Sequence, residues 1–154
     1  CPEPNVKKED IKKVSDFWES IGSKVKIMSI SEHDQILSLT SHLPHVIAYN
    51  IVKTSMNNGD KQKNDIIRYS AGGLRDFTRI AASDPLMWKD IFIDNSELII
   101  HAIDNFVKNL TEFKNAIKEK DSKKLLDIFE KSKEFRDEII KAGQDTDKPD
   151  FGRK

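Results

Sequence analysis

Two short stretches hold residue types that do chemistry. The first is Ser41-His42-Leu43-Pro44-His45, which sets a hydroxyl and two imidazoles around a proline. The second is Gly72-Gly73-Leu74-Arg75-Asp76-Phe77-Thr78-Arg79, where a glycine pair leads into two arginines spaced four apart. Histidine can bind a metal, carry a proton or hydrogen-bond a ligand. His42 and His45 are three apart and share a helical face, but no HExxH or Cys/His spacing supplies further ligands, so no metal is expected. Ser41 lacks the strand-turn-helix elbow of an activated nucleophile. What remains is a helix kinked at Pro44. Ser41 and His45 then bond the backbone groups freed by the kink, or face a pocket as hydrogen-bonding groups, and the two roles are compatible.

An arginine's planar fork meets a carboxylate at two points, and a helix start offers free N–H groups to an anion. Gly72 and Gly73 would let the backbone turn tightly ahead of such a helix. Arg75 and Arg79 lie on one face of it, so they form a candidate carboxylate clamp. A surface ion-pair cluster of Arg75, Asp76 and Arg79 explains the same residues equally well. Trp88, on an apolar helical face, is either core or the wall of a ligand pocket, with an indole N–H that needs a partner. His101 reads as exposed or capped.

These residues need elements to position them. Cys1-Pro2-Glu3-Pro4 is extended. Apolar residues at Ile11, Val14, Phe17, Trp18 and Ile21 predict a helix over 6–21, closed by Gly22. Val25 and Ile27 alternate with polar residues, which predicts a strand over 24–30. A lone strand cannot satisfy its backbone, so it must pair with a sheet lying elsewhere. Residues 1–30 therefore read as the rear end of an α/β unit, and Cys1 as an internal position of a longer protein.

From Ser31 onward the pattern is helical. One long helix is expected over 32–56 with Pro44 inside it, then a turn at Asn57-Asn58-Gly59-Asp60. Shorter helices follow over 64–69 and 74–82. Ser83-Asp84-Pro85 is a strong helix start, and Asp94 with Glu97 has the spacing of a capping box. Ile99, Ile103, Phe106, Leu110, Phe113 and Ile117 form a seam packed along its whole length. A last helix starts at Asp121-Ser122 and pairs with it as an antiparallel hairpin. Residues 143–154 form a polar tail.

The 154 residues suit one domain, or a domain with a fragment of another. Apolar residues make up 37% and charged residues 34%, with 26 basic balancing 26 acidic side chains. That balance gives no reason to expect nucleic acid or an anionic membrane as partner. No apolar run approaches the roughly 20 residues of a membrane span. The single cysteine forms no internal disulfide, and the default location is cytoplasmic.

Glu32-His33-Asp34, the Ser41–His45 stretch, then Gly72 through Ile91 (GGLRDFTRIAASDPLMWKDI) and the downstream Asp94-Asn95 together resemble the C-terminal domain of prephenate dehydrogenase. The resemblance covers roughly residues 31–140. It implies an all-α dimerisation and substrate-binding domain over 31–142, preceded over 1–30 by the helix-strand end of a Rossmann-type nucleotide-binding domain. It implies oxidative decarboxylation of prephenate to 4-hydroxyphenylpyruvate in tyrosine biosynthesis. NAD or NADP would be bound mainly by the missing N-terminal domain, which would also hold the catalytic histidine; this chain alone would hold none and be inactive. On the family's pattern Arg79 holds a substrate carboxylate, Ser41 and His45 line the pocket, and Trp88 walls it. Gly72 and Asp76 approach the neighbouring subunit's site in a homodimer. Tyrosine is a candidate inhibitor at the same pocket. Leu74 departs from the pattern, which commonly has an aromatic there. Arogenate dehydrogenase carries the same motifs, and a non-catalytic helical dimerisation module is the reading from another class.

Overall fold

A computed structural model describes residues 1–57 and 59–145, apart from the side chains of residues 59–61. The chain divides into two compact units, Cys1–Ala102 and Ile103–Lys154. Among the described residues eight α-helices run in order: α1 (Lys8–Ser20), α2 (Ile30–Leu37), α3 (Leu43–Met56), α4 (Gly59–Arg68), α5 (Gly72–Ile80), α6 (Pro85–Asp94), α7 (Ser96–Glu119) and α8 (Ser122–Lys141). A π-helical turn, Ser38–His42, joins α2 to α3. Among the described residues there is no strand, and no helix is long and apolar enough to cross a membrane. The expected turn at 57–60 and most of the polar tail involve residues outside those described.

In the first unit α1 ends as its sequence predicts. Gly22 takes φ +92°, its N–H donates to the Glu19 carbonyl at 2.9 Å, and the Ser23 N–H reaches the Trp18 carbonyl at 3.0 Å. This is a Schellman closure, and it needs the left-handed residue that glycine supplies. The strand expected over 24–30 does not form. Among the described residues no backbone hydrogen bond involves residues 24–28. Alternation sets which way side chains face, but a strand exists only through a ladder, and these residues have no partner strand.

The helix expected from Glu32 begins two residues earlier. Ser29 caps it by accepting the Glu32 N–H at 3.1 Å, and the Glu32 carboxylate accepts the Ser29 N–H at 2.9 Å. This reciprocal pair is a capping box. The expected kink at Pro44 is a π turn placed just ahead of the proline. There the Leu43 N–H donates to the Ser38 carbonyl, five residues back. Pro44 then falls in the first turn of α3, where its missing N–H costs nothing. Hydroxyls patch the carbonyls around the widened turn: Ser38 Oγ donates to the Gln35 carbonyl at 2.8 Å, and Thr40 Oγ1 to that of Ile36 at 2.9 Å.

α3 packs against α5, and Ala48 on α3 is wholly buried. α4 begins earlier than the expected 64, at Gly59, and α5 includes both glycines in its first turn. Neither Gly72 nor Gly73 has a positive φ, so the tight turn expected there is absent. α6 starts as expected, with Asp84 Oδ1 accepting the Met87 N–H at 2.8 Å and Pro85 in the first turn. Asp94 ends α6 instead of capping α7, which begins at Ser96.

α7 bears out the long helix, but its seam is not closed throughout. Ile99, Ala102 and Ala116 are buried, while Leu110 and Ile117 stand exposed. In the second unit α7 and α8 form the expected antiparallel hairpin. Phe113 and Phe129 meet at 5.9 Å between centroids, and Asp121 caps α8 through the Lys124 N–H at 2.9 Å. Lys120, between the two helices, adopts φ +55°.

Candidate functional site

Residues 42, 45 and 49 step by three and four along one face of the π turn and α3. Residues 88, 92 and 95 do the same along α6 and its end. The two rows meet through aromatic rings. His45 stacks on Trp88 with centroids 3.5 Å apart and planes 21° from parallel. His42 meets the same indole edge-on at 6.2 Å. Phe92 contacts Trp88 at 5.5 Å and lies edge-to-face with Tyr49 at 6.4 Å. Trp88 is only 6% exposed, and among the described residues its Nε1–H has no hydrogen-bond partner. A buried indole N–H ordinarily has one.

The three histidines of this region each commit Nδ1 to a different group. His33 Nδ1 is 2.9 Å from Asp34 Oδ1. His45 Nδ1 donates to the Ser41 carbonyl at 2.9 Å, so in the neutral ring Nε2 is an acceptor. His42 Nδ1 lies 3.2 Å from the Asn95 amide nitrogen, which also donates to the Asp34 carbonyl at 3.0 Å. A carbonyl can only accept, so the Asn95 amide presents N–H to both groups. His42 Nδ1 is therefore unprotonated and Nε2 carries the proton. Burial holds His42 below the ordinary histidine pKa; the Asp34 carboxylate opposes this, and His33 and His45 reinforce it. Only 7% of His42 is exposed, so it serves the interior and not a ligand.

Of the two side chains expected to bond backbone groups at the kink, His45 does so and, among the described residues, Ser41 does not. His45 secures a backbone carbonyl of the turn, and among the described residues its Nε2 has no partner. The half-buried Ser41 keeps a hydroxyl with no hydrogen bond among the described residues. On α5, Arg79 is 74% exposed and lies 3.7 Å from Asp76. No hydrogen bond, ion pair or ring contact joins Arg79 to the His45–Trp88 cluster among the described residues. Gly72 opens α5, and Ala71 before it supplies no side-chain cap. Its first N–H groups are therefore available to an anion.

Asn95, Tyr49 and Phe92 belong to this cluster, yet the motif residues did not single them out for it. Their signal is the shared three-and-four spacing with His42, His45 and Trp88.

The family described as "Prephenate dehydrogenase, dimerization domain" matches residues 29–131. The chain belongs to this family. The match begins at Ser29, the residue that caps α2. The cyclohexadienyl dehydrogenase of Zymomonas mobilis is 39% identical over 135 residues, covering 88% of this chain and 46% of the relative. The prephenate dehydrogenase of Bacillus subtilis is 29% identical over 136 residues, covering 88% and 36%. Among solved structures, prephenate dehydrogenase from Aquifex aeolicus in complex with hydroxyphenyl propionate and NAD+ superposes with a TM-score of 0.81 at 38% identity. It covers 90% of this chain and 48% of that one. Arogenate dehydrogenase from Synechocystis shares the fold, with a TM-score of 0.77 at 17% identity. The chain thus spans about half the length, or less, of the relatives it matches.

Proposed function

We propose that this chain is the C-terminal part of a cytoplasmic, homodimeric prephenate dehydrogenase, and that it supplies dimerisation and the substrate's carboxylate and ring contacts. The observation that carries this reading is the likeness, at 38% identity and a TM-score of 0.81, to an enzyme of that name complexed with an aromatic carboxylate. The geometry agrees with the chemistry such a ligand requires. His45, backed by the nearly buried Trp88, presents a flat ring suited to stacking on a six-membered one, and His45 Nε2 and the Ser41 hydroxyl offer hydrogen bonds at its edge. Arg79, held among the described residues only by an exposed ion pair with Asp76, can engage a carboxylate in two-point fashion. Gly72 and Asp76 would serve the partner subunit's pocket. The parent reaction would be oxidative decarboxylation of prephenate to 4-hydroxyphenylpyruvate.

The described residues do not fit a nicotinamide dinucleotide. Such a site needs a strand feeding a glycine-rich turn and a helix N-terminus, whereas α5 follows α4 and the described residues include no strand. On this reading the rest of the parent protein holds the cofactor and the catalytic histidine, and residues 1–30 close its nucleotide-binding domain. Full-length parent protein should form NADH or NADPH from prephenate and release 4-hydroxyphenylpyruvate. Turnover of arogenate alone would move the assignment to arogenate dehydrogenase. Dimerisation without turnover of either substrate would leave only the helical module.

A further inference from the structure

A π turn is a strained insertion seldom stable by itself, and such turns recur at functional sites. The turn at Ser38–His42 needs an external hold. Apart from the local bonds of Ser29 to Glu32 and of His45 to the Ser41 carbonyl, the side-chain hydrogen bonds that reach residues 30–42 from outside that segment, among the described residues, come from Asn95. Its amide grips both ends of the widened turn. One N–H takes the Asp34 carbonyl, which already accepts the Ser38 N–H. The other takes His42 Nδ1, at the last residue of the turn.

We infer that Asn95 is a positioning residue for the substrate pocket: by bridging the Asp34 carbonyl and His42 Nδ1 it fixes the π turn that carries Ser41 and leads into His45, which stacks on Trp88. The path is continuous. Asn95 orients the His42 ring, His42 lies edge-on to Trp88, and Trp88 stacks on His45. Asn95 touches neither Ser41 nor His45, so it acts on ligands only through this frame. The inference rests on the proposed role of Ser41 and His45 in holding prephenate.

The test uses full-length parent protein carrying Asn95→Ala or Asn95→Asp, with selective 15N-histidine labelling and steady-state kinetics. In the unmutated protein His42 shows protonated Nε2 and bare Nδ1. Asn95→Asp sets an acceptor against Nδ1 and moves the proton there, while Asn95→Ala releases the preference. Both variants should raise KM for prephenate at least tenfold and leave KM for the nicotinamide cofactor unchanged. In a His42→Phe background, the effect of Asn95→Ala on KM should largely vanish. Should Asn95→Asp fail to fold, Asn95→Ala alone decides. An unchanged prephenate KM with only a lowered melting temperature would make Asn95 purely structural and overturn the inference. Absence of turnover by the unmutated protein would instead overturn the functional proposal beneath it.

Discussion

His45 and Arg79 show how differently two residues of one proposed pocket can be held. His45 is fixed on two sides, by a carbonyl and an indole, so its open nitrogen has a defined direction. Arg79 is held more loosely: among the described residues its side chain is tied only to an exposed Asp76, and an ion pair of that kind contributes little. Its side chain can leave Asp76 at small cost when a carboxylate arrives. Arg79→Ala in the parent enzyme should therefore leave thermal stability unchanged and raise KM for prephenate by roughly ten- to a hundredfold, the loss of one charged hydrogen-bonding group. Normal kinetics would remove Arg79 from the pocket. His42 makes a separate prediction. Its folded pKa lies below the ordinary value near 6.5 because burial penalises the imidazolium. The unfolded chain therefore takes up the proton first as pH falls. The stability attached to neutral His42 is full above about pH 6.5 and is lost as pH drops toward the folded pKa. Melting curves should show this decline, and His42→Gln should flatten it. Glu32, whose carboxylate is held below its ordinary value by Ser29, contributes a second loss only in the acid range. The motif residues stood out in the sequence, whereas the tautomer of His42 did not. It depends on Asn95, a residue 53 positions away, and no local pattern records a contact of that range.

At the scale of the element, the chain was most legible where the chemistry is local. Gly22 and the Asp84-Pro85 start announce themselves because each acts within three or four residues of the end it closes. The strand over 24–30 misled because alternation reports side-chain direction, while a strand is a partnership. The glycine pair misled in the opposite way, since glycine permits a turn without demanding one. Pro44 was visible as a disturbance, but not the form the disturbance takes. A π turn moves the fault upstream and brings the proline into a tolerated helical position. Pro44→Ala restores an N–H facing the Thr40 carbonyl and lets the turn anneal toward regular α-helix. Thermal stability should hold or rise, while prephenate binding falls with the displaced Ser41 and His45; unaltered KM would show that the turn does not set the pocket. Lys120 offers a purely structural test. A left-handed lysine costs about 1 kcal/mol that glycine avoids, so Lys120→Gly should raise the melting midpoint by roughly 2–4 °C. A lower midpoint would mean that the cost lies in the unfolded chain's added freedom.

For the whole molecule the question is what covers the apolar surface each unit leaves open. In the second unit Leu110 is 53% and Ile117 55% exposed. Seven residues apart, they share a face of α7. Leu110 also lines a shallow groove with Phe106, Phe113 and Ile128. A helical pair of this length cannot cover its own seam, and contiguous exposed apolar surface of this kind marks an interface. The family's description as a dimerisation domain makes a second copy the expected cover, and a two-fold pairing would bury the same face on both subunits. A stable pairing should hide at least about 1,000 Å² in total. Sedimentation should therefore give a dimer at micromolar concentration. Leu110→Glu should convert it to monomer, because an unpaired carboxylate would be taken out of water twice, once per subunit. Helical content should survive, since glutamate is a good helix former and Leu110 is exposed in the single chain. If the wild-type chain sediments as a monomer, the seam has some other cover. If Leu110→Glu remains dimeric, the two copies meet on a different face.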